Sequence, residues 1–168
     1  SNGFLTKEDE NKVNVMAAYT QDNYHISATY TTQSNDWDAW HYFSTDNIDG
    51  DNDMDVDGFA LRGWFRPDET GTVVPSVSVG YDTMTFTNSL NGFTDASGYS
   101  FGLNWSDIFQ ASDTIGIAFG QPIKGTDNND ATPTRAENTE DVDPFLWEAY
   151  YSFKPNDSIE ITPGIFGG

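Results

Sequence analysis

Apolar side chains recur at every second position in eight separate stretches of this chain, a period that demands β-strands rather than helices. Val13, Val15, Ala17 and Tyr19 alternate with Asn14, Met16 and Ala18. Tyr24, Ile26, Ala28 and Tyr30 alternate with His25, Ser27 and Thr29, and Phe59, Leu61 and Phe65 alternate with Ala60, Arg62 and Trp64. The same pattern returns from Val73 to Tyr81, from Tyr99 to Trp105, from Ile115 to Phe119, from Phe145 to Phe153 and from Ile159 to Ile165. Strands are therefore expected near 12–19, 24–32, 57–66, 73–83, 98–106, 114–122, 144–153 and 159–166. Each is long enough for a half-exposed sheet.

At 168 residues, one domain is the natural expectation. The chain has no cysteine, which removes disulfide scaffolds, zinc ribbons and thiol nucleophiles. A net charge of -20, from 27 acidic and 7 basic side chains, argues against nucleic acid as a partner. It argues equally against docking on an anionic lipid surface. So acidic a chain would read as disordered, but aromatics make up 15% of it and supply ordering material. No run approaches the roughly 18 consecutive apolar residues of a membrane-spanning helix, and no basic, then apolar leader opens the chain. The expectation is a mature segment or an internal piece.

Connections expected at 20–23, 67–72, 107–113 and 154–158 are short, whereas those at about 33–57, 84–97 and 123–143 are long. Short and long are thus expected to alternate strictly. The long ones hold more than half of the acidic residues. A sheet with tight turns at one rim and long loops at the other is the pattern of an outer-membrane barrel. Periodicity defines two faces without saying which one is inside. A soluble barrel would bury the apolar set, and a membrane barrel would turn it toward lipid. Aromatics at strand ends (Tyr19, Tyr24, Tyr30, Phe65, Tyr81, Trp105 and Phe153) favour the second arrangement, because interfacial girdles collect such residues. The fold class expected is all-β, an antiparallel up-and-down meander forming part of a larger transmembrane β-barrel. Short turns on the periplasmic side would leave both ends of the chain on the extracellular side, so the whole of 1–168 reads as a partial barrel lacking further strands. Pro75 and Pro163, expected inside strands, would each cost a ladder hydrogen bond and mark bulges.

The stretch from Asp113 through Gly116, Phe119 and Gly120 to Pro122 resembles a strand-to-loop segment of cyanobacterial outer-membrane porins. Glu148 to Phe153, followed by Asn156 to Gly164, resembles a late hairpin of the same family. The likeness is strongest over residues 98–168. The group is labelled iron-uptake or major outer-membrane porin and is related to carbohydrate-selective porins. It implies a surface-layer-homology domain, a coiled coil and a barrel of sixteen or more strands, of which only barrel is seen here. Location in the outer membrane and passive transport of carbohydrate or ions are what the resemblance implies.

Pore-lining candidates are His25, Arg62, Arg66, Asp82, Asn104, Glu148 and Glu160, all placed by alternation on the polar face. Opposed basic and acidic rows would order water across a lumen; the plainer alternative is ion pairs that stiffen the wall. Asp51, Asp53, Asp55 and Asp57, followed by Gly58, have the spacing of a calcium loop, but Trp64 falls where a bidentate Glu is required. An acidic loop that repels anions is therefore preferred to bound Ca²⁺, and no cofactor is expected. Catalysis has no support: His25 and His41 lack ligand spacing, and no phosphate-cradling Gly loop follows a strand. The protein is expected not to be an enzyme.

Two readings result. In the first, a porin segment passes small hydrophilic solutes or ions, with a cation preference from its acidic loops. Its partners would be membrane lipid, the solutes, further copies in a homo-oligomer (a trimer), and phage or partner proteins using the loops as a surface receptor. In the second, a soluble β-barrel or β-sandwich module binds a ligand or calcium through Trp37, Trp40 and Asp51 to Asp57. Trp37, Trp40, Tyr42 and Phe43 would stack on sugars or pack a loop over the pore.

Overall fold

The computed structural model describes residues 11–34, 55–87, 93–128 and 144–168. Trp37, Trp40, His41, Tyr42, Phe43, Asp51 and Asp53 lie outside these residues. The described chain holds nine strands and no helix: β1 (Asn11–Thr20), β2 (Tyr24–Ser34), β3 (Asp55–Phe65), β4 (Ser76–Thr87), β5 (Phe93–Ser106), β6 (Thr114–Asn128), β7 (Leu146–Asn156), β8 (Ile159–Ile161) and β9 (Gly164–Gly167). Every pairing is antiparallel, and sequence neighbours pair from β1 to β8, so the fold is an up-and-down meander in one sheet. The sheet is not closed: β1 lies at one edge, and β8 with β9 at the other.

Strand positions follow the alternation, but several ends move. β4 starts at Ser76 and leaves Pro75 outside it, so that proline costs no ladder bond. β5 and β6 reach well beyond the expected 98–106 and 114–122. As a result the connection 88–92 is shorter than the connection 66–75, and strict alternation of lengths fails in the middle of the sheet. Thr85, Thr87 and Ser97 read as loop by hydropathy, yet the β-branched threonines suit a pleated strand.

Pro163 does interrupt a strand. β8 and β9 both pair with β7: Ile161 opposes Phe153, Ile165 opposes Ala149, and the two halves keep one register across Thr162–Pro163. Pro163 has no N–H to give, but its carbonyl accepts from Tyr151 N at 3.0 Å. The irregularity falls instead on β7, between Phe153 and Asn156. A second one lies where β5 meets β6, with register shifts around Ser97 and Tyr99. There Pro122 breaks the ladder, and Ile123 is carried over Gly98, where a Cβ would meet Ile123 Cα at 3.0 Å.

The turns at one rim are joined to each other. Arg66 N donates to Asn23 O at 2.7 Å, and Asn23 Nδ2 donates to Asp68 Oδ1 at 2.6 Å. Gly71 N donates to Ser106 O at 2.8 Å, from a backbone at φ 72° that suits glycine. Asp113 organises the turn 107–113. It is 1% exposed, and its carboxylate accepts from the backbone N–H of Ile108, Phe109 and Gln110 at 2.8, 2.9 and 3.1 Å and from Tyr151 Oη at 3.0 Å. Burial alone would push its pKa up, but these four donors outweigh it and hold the carboxyl below its ordinary value. Asp107 is held low as well, first by the Thr70 hydroxyl and then by Ser112 N.

Candidate functional site

Cross-strand partners in an antiparallel sheet share a face, so the register sorts every side chain. One face carries Tyr19, Ile26, Leu61, Val79, Phe101, Ile117, Ala149 and Ile165. It is apolar from edge to edge, and it is exposed: Ile26 is 57% accessible, Leu61 38% and Ile117 41%. No second layer covers it among the described residues. Soluble monomers keep contiguous apolar patches to roughly 300–600 Å², and this face crosses all nine strands.

Aromatic side chains border that face on both sides, along lines oblique to the hydrogen-bonded rows. Tyr30 opposes Phe59, Tyr81 opposes Tyr99, and Phe119 opposes Trp147. Between these pairs the border steps two residues toward the short-turn rim, since Phe59 faces Thr83 and Tyr99 faces Gln121. The opposite border steps the same way, from Tyr24 and Phe65 to Trp105 and Tyr151. At about 3.3 Å per residue and 4.8 Å per strand, the first border, which steps four residues between β2 and β7, slopes at roughly 30°, and the second, which steps two, at roughly 15°. The band from Tyr24 to Tyr30 runs about 20 Å along its strand. Beyond it, Tyr30 Oη donates to Asp57 Oδ1 at 2.6 Å.

The other face is polar. It carries a hollow of about 240 Å³ lined from five successive strands, β3 to β7, with Arg66 and Glu148 among its walls. Its floor is Gly102, Gly116 and Ala118. The Tyr150 ring lies directly on Gly116, where a Cβ would overlap it, and Asn104 Nδ2 reaches Tyr150 Oη at 3.1 Å across the intervening strand. Toward the long-loop rim the same face is covered, with Gln33, Val56, Phe86 and Ala96 buried and Met84 and Ile123 packed against the last three.

The structure puts His25, Arg62, Asp82, Asn104, Glu148 and Glu160 on this polar face and Arg66 just past the end of β3. Arg62 and Asp82 do not stand in opposed rows: Arg62 Nη2 donates to both Asp82 oxygens at 2.7 and 2.9 Å, and Nη1 donates to Leu61 O and Tyr81 O. That corrects the picture of separate rows, because an adjacent-strand diagonal is within reach of an Arg lying over Gly80. Glu160 accepts from Ser152 Oγ at 2.7 Å and lies 3.9 Å from Lys154 Nζ. His25 stacks on Trp64 at 6.0 Å, and the Arg66 guanidinium sits 5.3 Å from the centre of the Trp64 ring. His25 Nδ1 is 2.7 Å from Thr20 Oγ1.

Asp55 and Asp57 belong to β3, not to a loop, and Asp57 lies on the apolar side of the sheet at its border. Among the described residues no group of His, Asp and Glu is arranged to hold a metal ion. Sequence reading missed the stack on Trp64, the Tyr150–Asn104 bridge and the role of Asp113. The bridge had one visible signal, a glycine on the polar side of β6 that a large residue of β7 could cover. Compared with known proteins, the chain matches no family model, no curated protein and no solved structure.

Proposed function

We propose that the sheet is a stretch of the wall of a membrane-spanning β-barrel pore in an outer membrane, along whose polar face small hydrophilic solutes and ions diffuse. The observation that carries this reading is the exposed apolar face bounded by two oblique lines of aromatics that slope toward the same rim. In a barrel whose strands lean against a flat membrane, girdles at constant depth must cross the hydrogen-bonded rows at the tilt of the strands. The steeper slope, roughly 30°, is close to the 35–45° of such barrels. A soluble sandwich has no reason to slope both lines toward the same rim. The polar face then lines water, and filtering follows from size and charge with no cofactor and no conformational cycle. The acidic excess of the chain favours cations. The porin resemblance of residues 98–168 points to the same reading.

The test is extraction and mobility, followed by conductance. The full chain is expected to need detergent, to migrate differently on SDS gels before and after boiling, and to open cation-preferring steps in a planar bilayer. A freely soluble, monomeric protein with no heat-dependent mobility would overturn the proposal.

A further inference from the structure

We propose that the hollow on the polar face is a binding station for short zwitterionic peptides, of two or three residues, on their way through the pore. The inference rests on the pore reading for its place in transport, and on the geometry of the hollow for its ligand.

Charge is left over at the two lips of the hollow and nowhere else along its walls. Arg62 and Asp82 neutralise each other outside it. Among the described residues, no carboxylate lies within salt-bridge reach of Arg66, and no cation lies within reach of Glu148. Arg66 is also oriented: its backbone N–H is tied to Asn23 O, and its guanidinium rests on Trp64, itself backed by His25. A guanidinium held by one face keeps its planar edge of donors for a carboxylate. Glu148, on β7, offers the complement for an ammonium group.

The separation of the lips selects the length of the ligand. Arg66 follows β3 and Glu148 lies in β7, four strands away and roughly 19 Å apart between backbones at about 4.8 Å per strand. Both side chains line the hollow, which makes the gap between their charged ends shorter than that between their backbones. A single amino acid, with its charges on neighbouring atoms, cannot touch both lips. An extended chain of two or three residues spans roughly 7–11 Å and can. Between the lips, the Tyr150 ring covers Gly116 and Ser78 Oγ lies over Gly102, so Ser78, Asn104 and Tyr150 offer hydroxyl and amide partners for the peptide groups of a ligand lying across them.

The experiment uses trialanine as the probe on the full chain, read in two independent ways. In a planar bilayer, trialanine is expected to interrupt the ion current in a concentration-dependent manner. In saturation-transfer NMR on detergent-folded protein, it is expected to bind without any reference to conductance. Arg66→Gln and Glu148→Gln, both at exposed positions and both removing a charge while keeping a polar side chain, should each weaken binding about tenfold, the loss of one charge-assisted contact. Heat-dependent mobility serves to show that both variants fold. Equal binding of N-acetyl-trialanine amide, or of glucose, would overturn the proposal, as would channels that trialanine neither blocks nor binds. Binding by NMR with no channels at all would keep the hollow and sink the pore.

Discussion

On one side of the sheet, Ile26, Leu61 and Ile117 stand exposed among the described residues; on the other, Ser27, Gly80, Gly98 and Gly116 are covered. The same strands supply both sides, one residue apart. An ordinary soluble sheet would bury the first set and wet the second. Here the polar side is the crowded one: a Cβ at Gly98 would run into Ile123 and one at Gly116 into the Tyr150 ring. The apolar side has no layer over it among the described residues, as the proposed lipid contact requires. What the contrast teaches is that packing between neighbouring strands, rather than polarity, decides which face is covered here.

The sharpest way to break the comparison is to place the same charge on adjacent residues of β6. Ile117→Arg puts it in the middle of the apolar band, at a cost of about 2–4 kcal/mol if that band lies in a bilayer. Loss of the heat-modifiable form and of bilayer activity is expected. Ala118→Arg puts it on the polar face, where the folded form should persist with reduced single-channel conductance. Equal tolerance at both sites would mean that the faces do not differ in solvent.

Asp113 tests the point where the two faces meet, since Tyr151 of the apolar face donates to it beneath the 107–113 turn. Asp113→Ala should lower the temperature at which the unboiled band collapses by several degrees, because three backbone N–H groups lose their acceptor in a buried site. The pH dependence follows from the lowered pKa of the folded state. The contribution of Asp113 is complete above the unfolded carboxylate value of about 4 and is lost as pH falls through the lower folded value. Melting followed from pH 7 down to pH 2 should therefore show an acid loss of stability that is smaller in Asp113→Ala. Parallel profiles for both proteins would refute it.

The smallest effect is expected at Arg62. Its side chain is 51% exposed, so the pair with Asp82 is worth under about 1 kcal/mol. Arg62→Met should leave melting almost unchanged while freeing Asp82 on the polar face. Reversal potentials in a salt gradient should then shift toward stronger cation preference; an unchanged ratio would place the pair away from the ion path.

Much of this architecture was legible before any coordinates. Alternation at Tyr24 to Tyr30 or Phe59 to Phe65 is a local property, so strand positions and face membership could be read directly. Strand ends were harder. The pattern ends β4 at Thr83, but pairing with β5 continues through Met84 and Thr85 because backbone hydrogen bonds do not depend on apolar side chains. Individual site partners were harder again. His25, Trp64 and Arg66 meet only because β2 and β3 pair with His25 opposite Trp64.

Period-two patterning by itself therefore determined that this chain forms strands, that they have one apolar and one polar face, and that its chemistry is acidic and free of thiols. Register and the slope of the aromatic borders were decided by tertiary structure alone. Each depends on which residue of one strand lies opposite which residue of the next, and that relation joins positions far apart in sequence. A local pattern can say that Tyr81 and Phe119 share a face; only the assembled sheet aligns them with Tyr30 and Trp147 into a single sloping border.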